Sequence, residues 1–166
     1  MENKNAVLIV LGSAQDEKYL TKCIELLKNF EISYKVKVAS AHRSPERLFS
    51  ILKDEVEIKV ILAFAGHAAH LGGVIAAHVN IPVIAIPLPT SDLLGLDSLL
   101  AVVQMPAGVP VASMAIGEAG SQNAAVFAAQ ILAVSDIKLS KRLIDYKKEL
   151  VKKVEKSSIE VEKKWQ

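Results

Sequence analysis

Cysteine is almost absent from this 166-residue chain: Cys23 stands alone, so no intramolecular disulfide can staple the fold. It falls in the apolar series Leu20, Cys23, Ile24, Leu27, whose spacing predicts a packed helix face rather than a nucleophile. Aromatic residues are scarce too, at 5%, although hydrophobic residues make up 51% and mean hydropathy is +0.32. The core must therefore be built from small and branched aliphatics, which suits close-packed strands, helices and subunit interfaces. A net charge of +2 is too small to argue for nucleic acid or an anionic membrane as partner. Charge is missing altogether from residues 60 to 91, a stretch long enough to raise the question of a membrane span. Gly66, Gly72, Gly73, Pro82, Pro87 and Pro89 interrupt it, and His67, His70, His78 and Asn80 would be costly in lipid. It reads instead as strand, turn, helix and strand buried in a soluble protein. The opening MENKNAVLIVLGS has only six apolar residues in a row, too few for a signal-peptide core, and the cytoplasm is the expected location.

What is present alternates between two periods. Residues 6–11 form a continuous apolar run, followed by Gly12-Ser13 and a segment of helical spacing. Tyr34, Val36 and Val38 alternate with Lys35 and Lys37, as in a strand with one solvated face near a sheet edge. Ser44-Pro45 reads as the N-cap and first position of the next helix. Further strands are expected near 58–64, 81–86 and 110–115, with helices near 68–79, 95–103 and 120–134. Alternation on this scale predicts an α/β protein with a parallel sheet covered on both faces. Ligands of such sheets gather where the carboxyl ends of strands feed helices, and LGSAQD, SAHRSP and AGHAAHLGG all fall at that edge. The uncharged connection through Gln104-Met105-Pro106 and Gly108-Val109-Pro110 is expected to be covered by another subunit. Residues 1–135 form the expected α/β domain. Residues 136–166 hold ten Lys and Arg against six Asp and Glu, with a partial apolar stripe through Leu139, Leu143, Tyr146, Leu150, Val154 and Val161. They are expected to form a helical tail packed on the body or on a neighbouring subunit, not a nucleic-acid arm.

Each turn carries chemistry. Gly12-Ser13 can offer backbone N–H groups and a hydroxyl to an anion, and Asp16, one turn on, can reach a ribose hydroxyl. Neither a P-loop nor a G-x-G-x-x-G fingerprint is present, which argues against a nucleoside triphosphate or a dinucleotide. Arg43 offers forked donors suited to phosphate, with Ser40 as one more, and His42 is of the residue type that exchanges protons near neutral pH. His67 and His70 are three apart and on a helix would share a face, the spacing of two metal ligands, but no carboxylate or cysteine lies between Lys59 and Asp92 to join them. The alternative is that Ala65, Gly66, Ala68 and Ala69 make a close wall against a small ligand.

Together these stretches resemble the PurE family of purine biosynthesis. LGSAQD, VASAHRSPERLF, AGHAAHLGGVIAAH, IPVIAIPLPTSDLLGLDSLLAVVQMPAGVPVASMAIG and AGSQNAAVFAAQIL occur in order over about residues 6–134. The resemblance implies a three-layer α/β/α, flavodoxin-like fold and a homo-octamer with active sites between subunits. It implies interconversion of N5-carboxyaminoimidazole ribonucleotide and 4-carboxy-5-aminoimidazole ribonucleotide, with carbon dioxide as an intermediate and no metal or organic cofactor. The AAHL segment favours this mutase branch over the branch that uses carbon dioxide directly, which carries a GRSN-type segment there. By the same resemblance His42 is the general acid/base, His70 the second catalytic histidine in the loop beside the carboxylate, and Ser13, Asp16, Ser40 and Arg43 bind the phosphate and ribose; Gly12, Ala65, Gly66, Ala68 and Leu71 are expected to complete the substrate site. The chain departs from the family pattern at Gln15, where a serine is usual, at Phe64 and His67, where glycines are usual, and at Gly72, where proline is usual. His67 can narrow the pocket, add a second proton carrier, or point away. A direct carboxylase, a paralogue acting on another nucleotide and a non-catalytic nucleotide-binding protein are the competing readings.

Overall fold

A computed structural model describes residues 6–55 and 57–166. Five parallel strands form the central sheet: β1 (Val7–Leu11), β2 (Tyr34–Val38), β3 (Val60–Gly66), β4 (Val83–Leu88) and β5 (Ala112–Ser113), in the order β2-β1-β3-β4-β5. That is the flavodoxin-like order, whose direction reverses between β1 and β3 and opens a crevice beyond their carboxyl ends. Among the described residues six helices accompany the strands: α1 (Thr21–Asn29), α2 (Pro45–Asp54), α3 (Leu71–Ala76), α4 (Leu96–Val103), α5 (Glu118–Ala133) and α6 (Ile137–Trp165). A 3-10 segment, Ala14–Tyr19, lies between β1 and α1. None of the described helices is long and apolar enough to cross a membrane.

The continuous apolar strands follow from burial on both faces. Val7, Ile9 and Leu11 of β1 join Leu62 and Phe64 of β3 under α1, α5 and the start of α6. Leu8 and Val10 join Ile61, Ala63 and Ala85 under α2 and α3. Alanines set how closely the helices approach. Ala124, Ala125, Ala128 and Ala129 of α5 are fully buried against large sheet side chains, while Ala63 and Ala85 leave room for α3 on the opposite face. A Cβ on Gly72 would stand 3.0 Å from that of Ala85, so this close approach explains a glycine at the start of α3. Cys23 is buried in the core, and burial pushes its thiol up to about 12, which leaves it inert at neutral pH.

Several boundaries differ from the expectation. β5 is only two residues long rather than six, because Pro110 cannot donate to a ladder and the strand sits at the edge. β2 is the opposite edge, but its lysine face is not simply solvated: Lys35 and Lys37 approach Glu55, at 2.8 and 3.8 Å, while Val36 and Val38 are exposed. α3 begins at Leu71, three residues later than expected, for a reason that lies in the turn before it. The connection from Gln104 to Pro110 is largely exposed in the single chain, with the Met105 side chain lying against Gly73.

α6 is a single helix of 29 residues capped by Asp136, whose carboxylate accepts the N–H groups of Lys138 and Leu139. Leu139 and Leu143 are buried, and the Tyr146 ring meets Phe30 edge-on at 5.3 Å. Every residue from Lys147 onward is exposed.

Candidate active site

The turns leaving four strands build one cavity of about 410 Å³. β1 delivers Gly12, Ser13, Gln15 and Asp16, β2 delivers Ser40 to Arg43, β3 delivers Ala65 to Leu71, and β4 adds Thr90. Every residue expected to bind substrate or to act on it lies on this lining: Gly12, Ser13, Asp16, Ser40, His42, Arg43, Ala65, Gly66, Ala68, His70 and Leu71. The backbone stitches the strand ends together at the crevice, where the Gly12 N–H donates to the Phe64 carbonyl at 2.9 Å.

The first turn is tighter than an α-helix N-terminus. Ser13 Oγ accepts the Gln15 N–H at 3.4 Å, and the Asp16 carboxylate accepts the Ser13 N–H at 2.9 Å, a reciprocal cap. The expected cradle of Gly12 and Ser13 amides is therefore corrected: both N–H groups are used within the fold, and what this turn presents to a ligand is the Ser13 hydroxyl and Asp16. Burial raises the Asp16 carboxyl above its ordinary value of 3.8, outweighing the Ser13 N–H and the positive charges of His67, Lys18 and Arg43. The folded state thus holds this proton more tightly than the unfolded chain, and stability is lost as pH rises from 3.8 through the raised value. Asp16→Asn, whose amide oxygen still accepts from Ser13, should raise the thermal midpoint by about a few degrees at neutral pH. Thermal melts across a pH series should show that advantage vanishing toward pH 3.8; an advantage unchanged at low pH would contradict this account.

The second turn is closed by serines. Ser44 Oγ accepts the Ser40 N–H at 3.0 Å and donates back to the Ser40 carbonyl at 3.4 Å, while Ser40 Oγ accepts the Arg43 N–H at 3.2 Å. Ser44 does precede Pro45 at the start of α2, but its side chain makes no helix cap, because it is spent on closing this loop. The result holds His42 and Arg43 on the cavity wall. Arg43 Nη2 reaches across to the Gly12 carbonyl at 3.4 Å, which spans the β2 and β1 turns.

The third turn explains the late start of α3. The Ala69 N–H closes on the Gly66 carbonyl at 3.0 Å, and the two residues His67 and Ala69 have φ of 53° and 40°. A helix cannot run through left-handed residues, so α3 starts only after His70. His67 and His70 consequently do not share a helix face, and their rings go to different partners. His42 Nε2 and His70 Nδ1 lie 2.8 Å apart, one donating and the other accepting, with the rings nearly edge-on at 67°. His67 Nδ1 lies 3.2 Å from Thr90 Oγ1. Gly66 is required where it stands, since a Cβ there would fall 1.7 Å from Thr90 Oγ1. Phe64, by contrast, points to the opposite face of the sheet and is fully buried in the core, so it does not intrude on the cavity.

The sequence profile of the AIR carboxylase family matches residues 6–153. The chain belongs to this family. Among AIR carboxylase relatives, the N5-carboxyaminoimidazole ribonucleotide mutase of Saccharolobus solfataricus is 43% identical over 146 residues, covering 87% of this chain and 91% of the relative. The N5-carboxyaminoimidazole ribonucleotide mutase of Escherichia coli K12 is 45% identical over 148 residues, covering 88% of each. The crystal structure of Treponema denticola PurE is similar with a TM-score of 0.84 at 27% identity, covering 93% of this chain and 96% of that one.

The cavity also contains residues that reading the sequence did not assign to it. Gln15 and Ala41 line it between the expected residues, and Thr90 closes its far side. Thr90 carries no motif. Its only signal is position, as it follows β4 at the carboxyl edge of the sheet, where the crevice rule places ligands.

Proposed function

We propose that this AIR carboxylase family member is an enzyme of purine biosynthesis that interconverts N5-carboxyaminoimidazole ribonucleotide and 4-carboxy-5-aminoimidazole ribonucleotide. The observation that carries the reading is the meeting of His42 and His70, 28 residues apart in the chain and 2.8 Å apart in space, on the wall of a cavity of about 410 Å³. Ser13, Ser40 and Arg43 anchor the phosphate, since the guanidinium supplies forked charge-assisted donors and the serines add hydroxyls. Asp16 receives a ribose hydroxyl. The small side chains of Ala65, Gly66 and Ala68, with Leu71, leave room for the imidazole and its carboxyl group.

In the forward direction the bond between N5 and the carboxyl carbon breaks, its electron pair returns to the exocyclic nitrogen, and His42 delivers a proton there. Carbon dioxide stays in the pocket. C4 of the ring then attacks it, the new carbon–carbon bond forms, and the C4 proton passes to the imidazole that gave one up. Protons and charge balance over the cycle, so one histidine serves as acid and then as base. His70 shares its proton with His42 and orients that ring. The chemistry calls for no metal or organic cofactor, because the imidazole ring of the substrate itself accommodates the electrons.

The active form is an oligomer of this chain, an octamer by family resemblance, working in the cytoplasm. Leu93, Leu94, Leu96, Leu100 and Val103 form an exposed apolar patch beside the site, and a neighbouring subunit would cover it. Residues 1–135 are the catalytic domain in this reading, and residues 136–166 are a helical tail that leaves the body for a neighbouring subunit after Tyr146.

A side-by-side assay tests the reaction. Purified protein should convert N5-carboxyaminoimidazole ribonucleotide to the C4-carboxylated product rapidly, and should produce little of it from aminoimidazole ribonucleotide at low bicarbonate. The reverse preference would make it a direct carboxylase, and silence with both substrates would remove the reading.

A further inference from the structure

The turn from Gly66 to Ala69 puts a histidine where the backbone favours glycine. Its closing hydrogen bond, Ala69 N–H to Gly66 carbonyl, makes His67 the first central residue, and the positive φ of 53° there is the feature of a II′ turn. Histidine tolerates this region better than most residues but still at some cost, so the site retains it against a backbone preference. The ring is also tied down. Thr90 Oγ1 meets Nδ1 at 3.2 Å, so the turns after β3 and β4 are bridged, and Nε2 makes no hydrogen bond among the described residues. His67 lines the cavity, together with Thr90.

The charges around this ring matter for an anionic ligand. Asp16 lines the same cavity, and Asp97 stands at the start of α4. The Asp97 carboxyl is held below its ordinary value chiefly by the Ser91 hydroxyl, and His67 lowers it further; His67 also acts on Asp16. A third carboxylate brought near these two would be repelled unless a donor stood between them. Arg43 reaches the Gly12 carbonyl on the β2 side, and His42 and His70 are turned toward each other. On the β3 and β4 side His67 and His70 each keep an Nε2 without a hydrogen bond among the described residues, and His67 is the one whose ring Thr90 holds and whose other nitrogen is not turned to His42.

We propose that His67 is the residue by which this site recognises the carboxylate of its substrate, with Nε2 donating to that carboxylate and Thr90 holding the ring in place. The inference rests on the mutase reading, and it adds a substrate contact at a position where the family usually carries glycine. It makes His67 a specificity-determining residue: it distinguishes a carboxylated from an uncarboxylated aminoimidazole ribonucleotide.

Calorimetric titration with 4-carboxy-5-aminoimidazole ribonucleotide and with aminoimidazole ribonucleotide tests this. His67→Gly places the favoured residue on a left-handed backbone and should fold, which a thermal melt checks. It should weaken the carboxylated nucleotide by roughly tenfold to a hundredfold, the loss expected for a hydrogen bond to a charged group, and leave the uncarboxylated one within about twofold. His67→Asn, which also tolerates positive φ and keeps a donor, should lose less than His67→Gly. Equal weakening of both nucleotides would mean that His67 only shapes the wall, and no weakening of either would mean that it points away; each result overturns the proposal. A wild-type chain that binds neither nucleotide would bring down the mutase reading and this inference with it, and that failure is visible before any variant is made.

Discussion

His42→Asn should lower turnover by about 10²–10⁴-fold while leaving nucleotide affinity nearly unchanged. The ring lies on the cavity wall with its Nε2 2.8 Å from His70 Nδ1, held there by the serine-closed turn between β2 and α2. Asparagine preserves a short polar side chain that can still meet His70, but it cannot take up and release a proton near neutral pH. The groups assigned to the phosphate, Ser13, Ser40 and Arg43, are untouched, so binding energy remains while proton transfer to N5 and from C4 is lost. In barrier terms the loss amounts to roughly 3–5 kcal/mol at 1.36 kcal/mol per tenfold. Steady-state kinetics should therefore show a fall in kcat with little change in KM, and calorimetry with the product nucleotide should still report binding. If turnover survives the substitution, His42 is not the proton carrier, and the role would have to pass to His70 or His67. If binding is lost along with turnover, the residue anchors the ligand rather than moving its proton.

How much of this could be read from the sequence depends on which residues carried the information. The strands β1, β3 and β4 were legible because a parallel sheet buried on both faces needs continuous apolar runs, and Val7–Leu11 and Val60–Gly66 are such runs. The three turns were legible as a ligand edge because each follows a strand and carries polar or small residues. The start of α3 was not, because left-handed φ at His67 and Ala69 is imposed by the closing of the Gly66 turn, and neither residue type announces it as a glycine would. Ser44 looked like a helix cap from its place before Pro45, but its hydroxyl is drawn into the loop by the nearby Ser40 backbone. The pairing of Lys35 and Lys37 with Glu55 escaped because alternation states which residues share a face and not what covers it. The histidine pair is the sharpest case. His42 and His70 come from turns on different strands, and nothing in periodicity or spacing brings them together. Family resemblance named both residues, and only the topology explains why they meet.

A second large effect is expected at apolar residues that the single chain leaves about half exposed or more. Leu96, Leu100 and Val103 follow the spacing of one face of α4, and that face is exposed, with Leu93 and Leu94 beside it at 62% and 78% exposure. Leu94 also holds a positive φ of 52°, next to Gly95 at 90°, so a bulky apolar residue is kept outward on a backbone that glycine would suit better. An isolated folded chain would gain nothing from this arrangement. The double change Leu96→Lys, Leu100→Lys should accordingly cost the isolated subunit little, within about 1 kcal/mol for two exposed positions. In an assembly the same change places two cations in an apolar contact, and each buried charge without a partner costs several kcal/mol, enough to separate subunits. Light scattering should give the unaltered protein a mass several times 17.9 kDa, with eight copies as the proposed number, and the double variant a smaller one. Activity should fall in parallel, by about tenfold or more if the neighbouring subunit helps to close the site beside Thr90. A fully active wild-type monomer would refute the intersubunit site, whereas a double variant that stays assembled would move the interface elsewhere, with the exposed valines of β2 and the outer half of α6 as the remaining apolar surfaces.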